Sequence, residues 1–330
     1  MDKRVLFTCN SGGLGHATRT LCIAKYLREK DDRIEIQFGG HGPGMKMVEM
    51  NGFEWHDLPQ AEFFPIDNLT PRKMFGPYIA NRKKYFDLFR NYRPDVHFCD
   101  MELFSLVLGK IYAKHNFLLS HEFEPFKFEM SWFANAMRSM LINFKDFVPE
   151  KTFYTWFEDM KLSPRKKFVG PLAFEEPVKK LGGNNRILVV ISGAAKGIFD
   201  SVDFKSLGEE VTLYSRGVDI EGSIKIPKCP NLFPYVKAVD LVICSGWSTI
   251  MEALIANTPC LIIPCTGEQV DVAERCTKRG FADMATKENI NQKINEMLFD
   301  KVKRKKLVES SSMLDNGAKE IAEYIYSVLK

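Results

Sequence analysis

The chain has 330 residues, of which 45% are apolar and 27% are charged, with a formal net charge of +4. This length exceeds the size at which one hydrophobic core usually stops growing, so two domains are expected. The mild positive charge does not argue for nucleic acid as a partner, and no stretch approaches the roughly 20 apolar residues of a membrane span.

The eight cysteines predict a reducing environment. Cys9, Cys244 and Cys260 lie in apolar runs typical of buried strands, and no C-x-x-C pair occurs. This pattern favours free thiols over a disulfide framework or a zinc site. Because the first residues also lack the long apolar region of a signal peptide, we expect a cytoplasmic protein.

A glycine loop follows the first predicted strand, over residues 4–9, and precedes an amphipathic helix. The loop contains Gly13 and Gly15 but lacks the G-x-G-x-x-G spacing of a dinucleotide site. No acidic residue ends the second predicted strand, over 34–38, so a nicotinamide enzyme is not expected. A tight structural turn without further function is the alternative for this loop.

Two side chains beside the loop suggest chemistry. His16 stands at the start of the predicted helix, where the helix dipole disfavours the imidazolium form. A neutral imidazole can accept a proton from a hydroxyl group or from water. Arg19, one turn further on, could meet phosphate oxygens with two N–H groups; an ordinary solvated arginine is the alternative.

Two segments of the first half bear on membranes. Residues 74–93 interleave aromatic side chains with arginines and lysines. Such a helix either lies on an anionic membrane or packs its aromatic stripe into the core. Residues 126–148 form a second apolar stretch with few charges. Together the two segments favour a lipid-linked ligand for this half of the chain.

Polar residues follow two further predicted strands, over 94–99 and 117–120. His121 and Glu122 stand at the carboxyl end of the second, where open α/β sheets bind ligands, and Glu122 could orient or deprotonate a hydroxyl. Ordinary loop hydrogen bonds are the alternative for this pair. After the first strand, we expect Asp100 to cap the next helix, as carboxylates there often do.

The alternation of strands and helices starts again after a linker over 161–177 that is rich in Lys, Pro and Gly. It predicts an α/β protein with two Rossmann-like domains, each with a parallel sheet and right-handed crossovers. The predicted boundaries are residues 1–163 for the first domain, 164–316 for the second, and 317–330 for a final helix.

The most informative segment is 241–280. Ser245 and Thr249 bound a hydroxyl-rich turn between a buried strand and a helix, where free N–H groups favour an anion. Glu252 lies on the first turn of that helix, and Glu268 and Gln269 follow the next buried strand. This arrangement indicates a phosphate-bearing ligand with a polyol to recognise.

These residues resemble the donor-binding half of the two-domain (GT-B) glycosyltransferases. The nearest branch is the family 28-like one, with the bacterial peptidoglycan GlcNAc transferase, plant galactolipid synthases and archaeal relatives. Its pattern is Ser/Gly-Gly-x-Ser/Thr-x-x-x-Glu-Ala, a small residue-x-Pro, a strand and a Gln-containing loop. The chain departs from it at Val272, where many relatives have Asn. Residues 13–19 resemble the acceptor-side loop of the same branch and that of a related UDP-sugar hydrolase.

The resemblance implies a GT-B fold, in which two parallel sheets face each other across a cleft and the last helix crosses back onto the first domain. The turn 245–249 would wrap the donor's diphosphate, and Glu252 would bind the ribose. The residues assigned to donor binding are Ser192, Gly193, Ser245, Gly246, Trp247, Ser248, Thr249, Glu252, Glu268 and Gln269. The residues assigned to the acceptor and phosphate loop are Gly13, Gly15, Arg19 and His121.

We therefore expect an inverting glycosyltransferase that uses a nucleotide-diphosphate sugar, in particular a UDP-sugar such as UDP-GlcNAc. His16 is the first candidate for the base and Glu122 the second. No metal ion or other cofactor is expected, because backbone N–H groups would hold the leaving diphosphate. The acceptor hydroxyl could be lipid-linked, with the protein peripheral at the inner face of the membrane.

Two other functions stay open at this point. A hydrolase of the same fold would use His16 to activate water, although water needs no apolar acceptor domain. A non-catalytic sugar-nucleotide-binding subunit would bind the donor without turning it over. The donor sugar, the acceptor and the oligomeric state are not specified by these residues.

Overall fold

The computed structural model describes residues 3–11, 13–60, 71–121, 147–156, 163–191, 202, 204–207 and 210–330. The described residues form two compact units. One unit holds those as far as Leu172 together with 316–330, and the other holds those from Ala173 to Asp315. Most of the apolar stretch 126–148 lies outside the described residues.

A parallel sheet of seven strands forms the first unit. Its strands are β1 (Arg4–Cys9), β2 (Glu35–Gly40), β3 (Glu54–Asp57), β4 (Val96–Asp100), β5 (His115–Ser120), β6 (Lys151–Thr155) and β7 (Lys166–Val169). They lie in the order β3-β2-β1-β4-β5-β6-β7, and each neighbouring pair is parallel. The order reverses between β1 and β4, and ligands of such sheets bind at the carboxyl ends of the strands beside that point.

Four helices cover this sheet among the described residues before the second unit. They are α1 (Leu14–Lys30), α2 (Pro43–Met50), α3 (Pro71–Tyr92) and α4 (Leu103–Tyr112). The aromatic stripe of α3, including Tyr85 and Phe89, is buried in a hydrophobic cluster with Leu6 of β1. The core interpretation of residues 74–93 therefore holds for this stripe, while Phe75 and Ile79 of the same helix are 47% and 61% exposed.

A parallel sheet of six strands forms the second unit. Its strands are β8 (Ile187–Val190), β9 (Leu213–Arg216), β10 (Ile224–Lys225), β11 (Leu241–Cys244), β12 (Cys260–Ile262) and β13 (Asp283–Met284). Their order is β10-β9-β8-β11-β12-β13, with parallel neighbours throughout. The order reverses between β8 and β11. The prediction of two α/β domains with parallel sheets is confirmed.

The helices of the second unit follow its strands. They are α5 (Phe233–Val236), α6 (Trp247–Ala256), α7 (Gly267–Lys278), α8 (Ile290–Phe299) and α9 (Lys301–Ser311). The helix α6 ends at Ala256, and its C-cap residue Asn257 has a φ of 55°, in the left-handed region that asparagine tolerates. In the described part of the chain, no helix combines the length and the apolar character that crossing a membrane requires.

The last helix, α10 (Gly317–Leu329), belongs to the first unit and packs against α1. The Asn316 side chain caps it by accepting from the N–H of Ala318, and its amide donates to the Tyr26 hydroxyl of α1 at 3.3 Å. The N–H of Gly317 donates to the Pro171 carbonyl at 2.9 Å. This start of α10 lies so close to the chain at Gly170 that a Cβ on Gly317 would overlap the Gly170 carbonyl.

We predict that Gly317→Ala lowers the free energy of unfolding by about 1–3 kcal/mol, the usual cost of overpacking, because backbone has to move to admit the methyl group. Thermal unfolding followed by circular dichroism would show a lower midpoint. Gly182→Ala is the matched control, since a Cβ there meets nothing within 4 Å. Equal midpoints for the two variants would contradict the tight contact.

Candidate functional site

The first candidate site lies where β1, β4 and β5 end. Asp100 is the last residue of β4 and pairs in register with Cys9 of β1 and Leu119 of β5. His16 and Arg19 lie one turn apart near the start of α1, and His121 directly follows β5. The sheet thus brings together side chains that are far apart in the sequence.

Asp100 is the centre of a cluster with His16, Arg19 and His121, called here the Asp100 cluster. Arg19 donates Nε to Oδ2 of Asp100 at 2.9 Å and Nη2 to Oδ1 at 2.7 Å. Nδ1 of His16 lies 2.9 Å from the same Oδ1, and Nδ1 of His121 lies 3.2 Å from Arg19 Nη1. The side chains of Asp100 and Arg19 are 0% and 4% exposed, whereas 17% of His16 reaches the surface.

The charges of this cluster set its protonation states. Burial favours the neutral form of Asp100, but the charge of Arg19 and the interactions with His16 outweigh it and lower the Asp100 pKa to about 2. Burial lowers the pKa of His16 below its ordinary value; the Asp100 charge opposes this effect and the Arg19 charge adds to it. At neutral pH the site therefore holds a carboxylate and an uncharged imidazole. Burial is thus the main cause of the lowered pKa of His16.

One expectation for this edge of the sheet was wrong, and one alternative is excluded. Asp100 does not cap α4: Glu102 does, accepting from the N–H groups of Phe104 at 3.3 Å and Ser105 at 2.6 Å. The intervening Met101 has a φ of 57°, which turns the chain between the two carboxylates. Arg19 is not a solvated arginine either, because it is buried and donates two hydrogen bonds to the Asp100 carboxylate. A contact between Arg19 and phosphate stays a prediction.

The loop before α1 leaves the start of the helix open. Gly13 is the N-cap residue, with a φ of 116° that favours glycine, and no side chain in the described part of the chain caps the helix. Gln60, which lies about 50 residues further along the chain, makes two hydrogen bonds to the loop. It donates to the Cys9 carbonyl and accepts from the Ser11 N–H, both at 2.8 Å. Gly15 lies in the first turn of the helix. An open helix start of this kind attracts anions.

The second candidate site lies at the carboxyl end of β11. Ser245 directly follows the strand and is 1% exposed, and its hydroxyl has no hydrogen-bond partner among the described residues. Gly246 is the N-cap of α6, and no described side chain caps that helix. Trp247 and Ser248 are half-buried in the first turn, and Thr249 is buried. The turn thus presents an open helix start beside a buried, unpaired hydroxyl.

Glu252 lies three residues beyond Thr249, on the same side of α6. It is 3% exposed, and burial raises its pKa to about 8. Burial is the single cause of this shift, and no charge or hydrogen bond of a described residue contributes to it. Burying a carboxyl group costs free energy that hydrogen bonds from a ligand's hydroxyl groups would recover.

Glu268 and Gln269 lie in the first turn of α7. The Thr266 hydroxyl accepts from the N–H of Gln269 at 3.3 Å, and the Gln269 amide oxygen accepts from the N–H of Cys265 at 2.8 Å. The sequence carries a signal for this arrangement, because Thr-x-x-Gln is the pattern of a capping box, although Gln269 accepts from the residue before the N-cap. Gln269 has this structural role, and its contact with a donor sugar stays a prediction.

Three predicted site residues, Glu122, Ser192 and Gly193, lie outside the described residues. Within the described ranges, no group of three or more His, Cys, Asp or Glu side chains is arranged to hold a metal ion. The site also contains Asp100, which was expected only to cap a helix, and Gln60, which the sequence did not predict. Asp100 carried a signal, since it directly follows the strand predicted over 94–99.

The buried Glu252 predicts a pH dependence of stability. Its pKa is raised from 4.5 to about 8, so between these values the folded protein binds more protons than the unfolded one, and stability falls as the pH rises. We predict that Glu252→Gln reduces the loss of unfolding free energy between about pH 5 and about pH 8.5. Urea unfolding at both pH values measures it. The exposed Glu274→Gln is the control, and an identical pH dependence in Glu252→Gln and wild type would contradict the prediction.

The chain is similar to glycosyltransferases over nearly its whole length. No protein-family model matches the chain. An uncharacterized glycosyltransferase of Methanosarcina mazei is 24% identical to it over 98% of this chain and 97% of that relative. The UDP-N-acetylglucosamine–N-acetylmuramyl-(pentapeptide) pyrophosphoryl-undecaprenol N-acetylglucosamine transferase of Acetivibrio thermocellus is 23% identical, covering 97% and 95% of the two chains.

The fold has counterparts among solved structures. Spinosyn rhamnosyltransferase SpnG, solved in complex with thymidine diphosphate, superimposes with a TM-score of 0.67 at 16% identity, over 98% of this chain and all of that one. The predicted fold class and the predicted resemblance to GT-B glycosyltransferases are both confirmed.

Proposed function

We propose that this protein, a GT-B glycosyltransferase by its relatives and its fold, moves a sugar from a UDP-sugar to an acceptor hydroxyl with inversion at the anomeric carbon. The observation that carries the proposal is the pair formed by His16 and Asp100. It offers an uncharged imidazole at the carboxyl ends of the strands of the first sheet, with Nδ1 within hydrogen-bond distance of a buried carboxylate.

The chemistry requires a base for the acceptor. When Nδ1–H of His16 donates to Asp100, the lone pair of Nε2 is left to accept a proton. The acceptor oxygen forms a bond to the anomeric carbon while the bond from that carbon to the diphosphate oxygen breaks. The acceptor's proton goes to Nε2, and both electrons of the broken bond leave with the diphosphate. Glu122 is the second candidate for the base.

The donor would be bound by the second unit. N–H groups at the start of α6 and the unpaired Ser245 hydroxyl suit the diphosphate, and the buried carboxyl of Glu252 suits the two ribose hydroxyls. Two proteins support the choice of donor: the Acetivibrio relative, named for UDP-N-acetylglucosamine, and the structural neighbour, which holds thymidine diphosphate. We further propose that these N–H and hydroxyl groups stabilise the leaving diphosphate without a metal ion.

We predict that His16→Ala lowers kcat by about a hundredfold or more, because the acceptor proton loses its base. The assay is nucleotide release from a panel of UDP- and dTDP-sugars, with and without membrane lipid extract, in EDTA. His115→Ala is the matched control, since that imidazole lies at the opposite, amino end of β5.

Three results would contradict parts of the proposal. Unchanged kcat in His16→Ala would remove His16 as the base. Release of free sugar at the same rate without extract would indicate a hydrolase. Loss of wild-type turnover in EDTA would overturn the metal-free mechanism.

We also propose that the acceptor is lipid-linked and that the first unit contacts an anionic membrane through α3. The exposed face of this helix carries Phe75 and Ile79 together with the exposed cations Arg82 and Lys83. Apolar side chains flanked by cations suit the headgroup region of such a membrane. The acceptor of the Acetivibrio relative is a pyrophosphoryl-undecaprenol by its name, which supports this acceptor class.

We predict that the double variant Phe75→Ser/Ile79→Ser binds phosphatidylglycerol-containing vesicles about tenfold more weakly, because two apolar side chains no longer insert. Sedimentation with the vesicles measures it. Val302→Ser is the control, since Val302 is 65% exposed on α9 of the other unit. Equal binding by the double variant and wild type would contradict contact through α3.

A further inference from the structure

We infer that Arg19 is a positioning residue for His16: its guanidinium neutralises Asp100 and stands against the Nδ1 edge of the imidazole, and it thereby keeps His16 uncharged and able to accept a proton. The inference rests on the proposed function, in which His16 is the base. It gives Arg19 a role that neither of the two sequence interpretations contained.

Three atoms carry the inference. Asp100 Oδ1, Arg19 Nη2 and His16 Nδ1 form a triangle, with Nη2 at 2.7 Å from both other atoms and Nδ1 at 2.9 Å from Oδ1. A guanidinium group only donates, and Nδ1 offers one position in the ring plane. The ring can therefore donate Nδ1–H to Asp100 or accept from Arg19, and of the two neutral forms only the one that donates Nδ1–H leaves the lone pair on Nε2.

The charged form of the ring fits this triangle poorly. An imidazolium would turn its Nδ1–H toward Asp100 with a second cation, Nη2, at 2.7 Å. Without Arg19, the same ring would face a buried carboxylate at 2.9 Å and would gain from being charged. Asp100 alone would thus orient His16 but also favour its protonation, and a protonated imidazole cannot act as a base. Arg19 removes this second effect.

Among the groups around His16, one cation and one anion affect whether its ring is protonated. On its own helix it faces Arg19, from the end of β4 it faces Asp100, and beyond β5 it faces His121, with ring centroids 6.1 Å apart. Cys9, at the end of β1, lies beside Asp100 and Arg19, and burial raises the pKa of its thiol, so it carries no charge. Among the described residues, the anion Asp100 and the cation Arg19 are therefore the charges that act on His16 in addition to its burial.

The test is an NMR titration of His16 in the free protein, with its signal assigned by the loss of that signal in His16→Gln. We expect Arg19→Met to raise the titration midpoint by at least about one pH unit, because Asp100 is then unopposed. Arg19→Lys should stay near wild type, because it keeps the cation. Arg33→Met, at an arginine that is 83% exposed, is the matched control and should leave the midpoint unchanged.

Because Arg19→Met leaves a buried carboxylate unpaired and can fail to fold, two further variants carry the test. Arg19→Met/Asp100→Asn removes both charges and should return the midpoint toward that of wild type. Asp100→Asn should lower it. An unchanged midpoint in Asp100→Asn, or a rise in the double variant as large as that expected for Arg19→Met, would overturn the inference.

Turnover gives a second readout. The acid limb of the kcat/KM profile should move to higher pH in Arg19→Met by the same amount as the titration midpoint. A uniform loss of activity at all pH values, with no shift of the limb, would mean a merely structural arginine. Unchanged turnover in His16→Ala would instead overturn the proposed function itself, whatever the titration shows.

Discussion

The carboxylate of Asp100 is buried at the end of β4, and its charge dictates where the neighbouring side chains stand. A buried charge without a partner is strongly unfavourable, so the face of α1 that carries Arg19 has to lie against β4. His16, one turn earlier on that face, is then placed at the edge of the sheet with Nδ1 directed inward. The strand order makes this possible, because β1, which leads into α1, lies next to β4.

The two candidate sites differ in how complete they are. In the first unit, Asp100 is satisfied by Arg19, and the imidazole is held before any ligand arrives. In the second unit, the Ser245 hydroxyl is buried without a hydrogen-bond partner among the described residues, and the Glu252 carboxyl is buried with no charge or hydrogen bond that offsets the effect of burial on its pKa. A ligand that brings both acceptors for the helix start and hydroxyl donors for Glu252 would satisfy them together. A nucleotide diphosphate combines these two kinds of group.

Much of the fold could be predicted from local sequence. The apolar runs at 4–9 and 241–244 are strands because both faces are buried, and a run of apolar residues records that burial directly. The turn after 244 and the stop at Asn257 are likewise local. The role of Asp100 was not predictable in this way, because its partner Arg19 is 81 positions away on another element. The aromatic stripe of α3 fits either the core or a membrane until its neighbours are known.

The central claim is that the second unit binds a nucleotide diphosphate through Glu252 and the helix start beside it. Isothermal titration of UDP and UMP into wild type, Glu252→Gln and His16→Ala tests it most directly. At pH 9, above the pKa of Glu252, we expect UDP to bind one site per chain, more tightly than UMP, and about tenfold more weakly in Glu252→Gln, since a carboxylate accepts stronger hydrogen bonds than an amide. His16→Ala should bind UDP like wild type. Equal affinity of wild type and Glu252→Gln for UDP, or binding of UMP as tight as that of UDP, would contradict the claim.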